Sequence, residues 1–157
     1  KWKRGVVFIK ELVPKWALSF VANAIYKEHY QTVPMKNHIL ITNEILNVCY
    51  EWQINNKWYS IEVSAEQECS LIKKESETEF ITEHYWGYAK INDKRTNEYE
   101  VTHPRWVHHK IKDYTISVDF EKVYGTEFSF LNNSKPNSVM LAKGSHITVE
   151  KRRKLSF

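Results

Sequence analysis

The sequence predicts a mainly β fold, α+β at its margin: an antiparallel sheet, curved or closing into an incomplete barrel, with a helix packed on it. Two observations carry this. Most segments alternate apolar and polar residues with a period of two, as a half-buried strand requires. Tight polar turns join most neighbouring segments, which leaves about eight strands against one clear helix and two short ones. The 157 residues suit a single domain with a real core, and we assign residues 1–157 to one. Aromatic residues make up 14% of the chain, so large flat side chains must carry much of the burial.

Gly5 to Leu12 reads as a buried strand. Pro14 suits a first helical position. Trp16, Ala17, Phe20, Val21, Ala24 and Ile25 then recur at helical spacing, predicting a helix over about 14–28. Ile39 to Thr42 approaches the next strand. Ile45 to Ile54 alternates, with Leu46, Val48, Tyr50, Trp52 and Ile54 inward. Asn55 and Asn56 turn the chain, and Trp58 to Ala65 returns with Tyr59, Ile61, Val63 and Ala65 on the apolar side. Glu66 to Glu75 is polar and reads as a connection.

Ser76 and Glu79 form a capping box for a short helix over 76–82, the glutamate reaching back to the cap's own N–H. From His84 the period changes to two. With Asp93-Lys94 as a two-residue loop, Tyr88 faces Tyr99, Trp86 faces Val101 and His84 faces His103. That register makes one aromatic face with two histidines at its end; a slip by one residue would invert the return strand. Pro104 ends the return strand, because proline cannot donate to the ladder. Residues 105–111 and 114–120 continue the β pattern, and 120–131 reads as one or two helical turns. Ser138–Lys143 and His146–Lys151 predict a last hairpin around Gly144. Lys151 to Lys154 is a basic run of the kind that protects a sheet edge.

The net charge of +4 is compatible with anionic small molecules and too small to argue for nucleic acid. No apolar run has transmembrane length, so no membrane partner is expected. The two cysteines form neither a disulfide framework nor a metal spacing, and a reducing cytoplasm is the expected compartment.

The chemistry-bearing residues concentrate between Glu79 and Trp106. We expect ligand-binding positions at His84, Trp86, Tyr88, Lys90, Tyr99, His103 and Arg105: an aromatic surface rimmed by groups able to hold a carboxylate. His84 and His103, paired across the strands with Glu83, His108 and His109 near in sequence, are the metal-ligand candidates, and no metal or other cofactor is expected, since no spacing motif supports one.

Three runs carry a family resemblance: Arg4 to Pro14, Phe80 to Tyr88, and Glu98 to Trp106. Tyr124 to Phe128 and Ala142 to Ser145 fit the same pattern. On these residues the chain resembles the YqjF-like bacterial proteins, a family of unknown function in the acetoacetate decarboxylase-like superfamily. The resemblance implies a sheet curled into a cone around a small-molecule cavity. It also implies that the chain is the C-terminal two-thirds of a longer domain, which leaves an open sheet edge available for a homo-oligomer. The decarboxylase forms a Schiff base through a Tyr-Pro-Lys-Lys motif. Tyr88-Ala89-Lys90-Ile91 keeps the tyrosine and the first lysine but lacks the second, the cation that would activate Lys90. The expected function is therefore binding of a small organic anion or partly apolar ligand. A lysine-dependent, decarboxylase-like lyase acting on a keto acid is the alternative.

Overall fold

The computed structural model describes residues 3–7, 9–15, 30–151 and 153–156. The fold is mainly β, with three sheets among these residues. They fall into two compact units. No described helix is long and apolar enough to cross a membrane.

The second unit comprises Val33–Leu71 and Val107–Lys143. Its sheet contains β4 (Met35–Ile41), β5 (Ile45–Ile54), β6 (Lys57–Leu71), β9 (Val107–Ser117) and β10 (Leu141–Ala142), in the order β10-β9-β6-β5-β4. Asn55 and Asn56 both adopt positive φ, 50° and 61°, as a two-residue hairpin turn requires, and this sets the β5–β6 register. Leu46, Val48, Trp52, Ile54, Tyr59, Val63 and Ala65 are buried on one face, as the alternation predicts. Tyr50 and Ile61, expected inward, pair directly with each other and are 48% and 37% exposed. The predicted connection after Ala65 is instead a continuation of β6 to Leu71, because β9 offers a partner along that length. α2 (Phe120–Tyr124) is capped by Asp119, whose carboxylate accepts from Lys122 N at 3.1 Å, and a 3-10 helix (Thr126–Asn133) follows.

The first unit comprises Lys1–Thr32, Ile72–Trp106 and Gly144–Phe157. Its main sheet joins β1 (Gly5–Val7), β7 (Trp86–Asn92) and β8 (Arg95–Thr102). β11 (Thr148–Val149) and β12 (Arg153–Ser156) both pair with β8. β2 (Glu11–Val13) and β3 (Tyr30–Thr32) form a separate parallel pair. The expected single strand over Gly5–Leu12 is thus divided between two sheets, with Val7 and Ile9 exposed. The expected last hairpin is absent: β10 pairs with β9, whereas β11 pairs with β8. Residues 16–28 of the predicted helix lie outside the described residues.

The short helix α1 (Glu77–Thr82) is where the capping signal places it. Ser76 Oγ accepts from Glu79 N at 3.2 Å. The Glu79 carboxylate, expected on the cap's own N–H, accepts instead from Glu75 N at 2.6 Å. Neither five-stranded sheet closes on itself among the described residues.

Candidate functional site

The site begins with one extra residue. The β7–β8 turn has the expected two-residue loop, with Asn92 opposite Arg95, and Asn92 Oδ1 accepts from Lys94 N at 3.0 Å. Between Lys90 and Asn92, however, the register shifts, so Ile91 forms a bulge. From there on Tyr88 faces Glu98 and Trp86 faces Glu100, in place of the expected Tyr99 and Val101. One surplus residue inverts the faces of the whole return strand.

The result is an aromatic-acidic face. Trp86 and Tyr88 share it with Glu98 and Glu100. Tyr99 moves to the other side, where it packs over Gly87 and is buried. Glu98 is buried, and both carboxylate oxygens are engaged. Oε1 accepts from Lys3 Nζ at 2.7 Å, and Oε2 accepts from the Tyr88 hydroxyl at 3.0 Å. The lysine bond is the main reason the Glu98 carboxyl ionises below the usual carboxylate range; burial opposes it, and Tyr88 and the charges of Lys3 and Arg153 assist. The Tyr88 hydroxyl moves upward, by burial and then by its bond to Glu98. Lys3 also lies over the Trp86 ring, 3.5 Å from its centroid.

β8 carries further partners into this region. Arg153 stands opposite Glu98, and Glu150 N donates to Glu100 O at 2.8 Å. Trp86, Glu98, Glu100, Thr102, Glu150, Lys151 and Arg153 thereby line a half-open groove of about 480 Å³, to which the expected site residue Tyr99 also contributes. Lys151 and Arg153 form no ion pair among the described residues. The groove therefore offers an aromatic wall, two cations that form no ion pair among the described residues, and the carboxylates of Glu100 and Glu150. That set can hold a small polar molecule through charge-assisted hydrogen bonds.

The family model of DUF2071, an uncharacterized conserved protein (COG2071), matches residues 1–146. The chain belongs to the DUF2071 family. No curated protein and no solved structure matches it.

The other expected site residues of this DUF2071 chain are dispersed. His84 lies beyond the strand; its Nδ1 is 2.6 Å from Ile81 O, and its ring meets Phe80 edge-on. His103 is stacked between Tyr85 and Trp106, at centroid distances of 4.9 and 4.4 Å. The expected His84–His103 pair does not form, because the bulge breaks the register that would align them. No group of three metal-ligating side chains is found among the described residues. Arg105 bridges Glu79 at 2.5 Å and Ile72 O at 2.9 Å, tying the segment after β8 to α1. Lys90 is 69% exposed and pairs with Asp93 at 2.7 Å.

Sequence reasoning missed Lys3, Glu98, Glu100, Glu150, Lys151 and Arg153. The missing signal was the bulge: with Ile91 counted as unpaired, Glu98 and Glu100 fall beside Tyr88 and Trp86. The basic run at Lys151 was visible, but nothing local points it at β8.

Proposed function

We propose that this DUF2071 chain binds a small organic acid in the Trp86 groove. The observation that carries the reading is the placement of Lys151 and Arg153 in one groove with a half-buried tryptophan. The ligand's carboxylate meets the two cations, and its apolar part lies along the indole. Glu100 and Glu150 accept from hydroxyl or amino groups elsewhere on the ligand. Glu98, already paired with Lys3 and hydrogen-bonded by Tyr88, holds the wall in place rather than meeting the ligand.

The β-cone implied by the decarboxylase-like resemblance suits a binding role of this kind and remains part of the proposal. A cytoplasmic setting is supported by the two cysteines, both free thiols. The lyase alternative has less support. An amine nucleophile needs desolvation or a neighbouring cation, whereas Lys90 is open to solvent beside an anion.

Calorimetric titration of the full chain with a panel of small aryl and alkyl carboxylic acids, each beside its primary amide, tests the reading. Acids should bind saturably and amides should not. Arg153→Gln should weaken acid binding about tenfold, the loss of one charge-assisted hydrogen bond. Equal binding of acids and amides would sink the proposal. A borohydride-trapped keto-acid adduct that disappears in Lys90→Ala would move the reading to the lyase.

A further inference from the structure

We propose that the ligand of the Trp86 groove is a zwitterion, a small α-amino acid with an apolar side chain; this rests on the acid-binding reading of that groove and narrows its ligand class.

The charges of the groove fall into two cross-strand rows. β11 pairs Val149 with Val101, and Glu150 N donates to Glu100 O at 2.8 Å, so Glu150 comes directly opposite Glu100. On the other edge of β8, Glu100 faces Trp86. Residues paired across strands share a face, so one row runs Trp86, Glu100, Glu150. The next row runs Tyr88, Glu98, Arg153. From Glu150 to Arg153 the outer segment advances three positions, while β8 advances two, from Glu100 to Glu98. Without that surplus residue, alternation would turn Arg153 to the opposite face. The bulge sets a cation beside the acidic row, and Lys151 lines the same groove.

The signs of these charges decide what fits. Two carboxylates directly opposite each other repel. Neither Glu100 nor Glu150 forms an ion pair among the described residues, and neither does Lys151 or Arg153. Glu98 differs, since Lys3 and Tyr88 hold both its oxygens. Two anions and two cations, none ion-paired among the described residues, therefore share one half-open groove. A plain organic acid meets the cations but leaves Glu100 and Glu150 desolvated beside it, with no positive partner. A plain amine has the converse fault. A ligand carrying both charges answers both rows and leaves the net charge of the groove unchanged.

The spacing favours a compact zwitterion. The rows stand two positions apart along β8, about 6.8 Å. An ammonium and a carboxylate on one carbon fit between them, each within reach of long side chains for a charge-assisted hydrogen bond of about 2.8 Å. The ammonium goes to Glu100 and Glu150, and the carboxylate goes to Arg153 and Lys151. The substituent on that carbon runs along the half-buried indole of Trp86.

The experiment titrates the full chain calorimetrically with two matched sets: phenylalanine, hydrocinnamate and phenethylamine, then leucine, isocaproate and isoamylamine. Within a set the apolar group is constant and the charges differ. At least one amino acid should bind about tenfold tighter than its deamino acid and its amine, the worth of one charge-assisted hydrogen bond. Protein carrying both Glu100→Gln and Glu150→Gln should bind that amino acid and its deamino acid equally. Saturable acid binding with no preference for either amino acid overturns the zwitterion and leaves the acid reading standing. Amines that bind as tightly as the amino acids overturn it too, as does a preference that survives the double substitution, because the ammonium is then held elsewhere. If neither acids nor amino acids bind, the acid reading falls as well. Should circular dichroism show the double variant unfolded, the wild-type comparison decides alone.

Discussion

A methyl group at position 87 would sit 2.2 Å from Tyr99 Cζ. Glycine is therefore required at this point of β7 for lack of space, and the buried Tyr99 ring is what takes that space. Gly87→Ala should cost about 1–3 kcal/mol, the range for overpacking a close-packed site, read as a lower urea midpoint at unchanged slope. A loss below about 0.5 kcal/mol, the usual scatter of surface substitutions, would mean that Tyr99 moves aside freely. Tyr85 makes a second test. Its hydroxyl donates to the Glu83 carboxylate, and that bond, with burial and the Glu83 charge, pushes the phenol up to about 12. The folded value lies above the unfolded one, near 10, so the stabilisation is full below pH 10 and is lost as pH rises through about 12. Spectrophotometric titration at about pH 11 should show one protonated tyrosine fewer in Tyr85→Phe protein than in the wild type.

α1 has only six residues, too few to stand by propensity alone. Its ends and its anchor hold it. Ser76→Ala removes both the acceptor for Glu79 N and the donor to Lys73 O, which lies 2.6 Å away, and should cost about 1 kcal/mol. Arg105 reaches the Glu79 carboxylate from the segment after β8. Arg105→Ala should therefore speed amide exchange within 77–82 while leaving β5 and β6 protected; unchanged exchange in α1 would show that the bridge contributes nothing to local order. The edge strand β4 has the opposite character. Ile39, Leu40 and Ile41 are all more than half exposed beside an edge that no strand pairs among the described residues. Leu40→Lys should reduce aggregation on heating, measured by light scattering, because a charge on an edge discourages pairing with another chain.

Acid stability belongs to the molecule as a whole, since each carboxylate whose pKa changes on folding contributes through linkage. Glu98 has the environment best suited to show it. Its folded pKa lies below its unfolded value, so its contribution is complete above the unfolded value, about 4.3. It is lost as pH falls through the folded value. Lys3→Met removes the strongest cause of the depression while leaving the carboxyl buried. The variant should be less stable than the wild type near pH 6 and lose less stability as pH falls, the two converging toward pH 3, by urea unfolding from pH 3 to 6. Superimposable acid limbs would mean that Lys3 does not hold Glu98 ionised.

The mainly β class was legible in the chain because alternation is a local property, written within each segment. The β5–β6 register was legible for the same reason: Asn55 and Asn56 specify their turn on the spot. Ser76 likewise announced α1. Pairings between distant segments were not legible. β10 and β11 look like one hairpin around Gly144 because they are neighbours in sequence, yet β9 and β8 take them apart. The bulge at Ile91 is a single unpaired residue with no composition of its own, and it alone moves Tyr99 out of the Trp86 face and brings Glu98 in. Lys3 and Arg153 lie 95 and 55 positions from Glu98, so only the folded chain could make them one site. Strand formation is set by each residue and its near neighbours; which strand edge completes which depends on backbone hydrogen bonds that every residue type except proline can make.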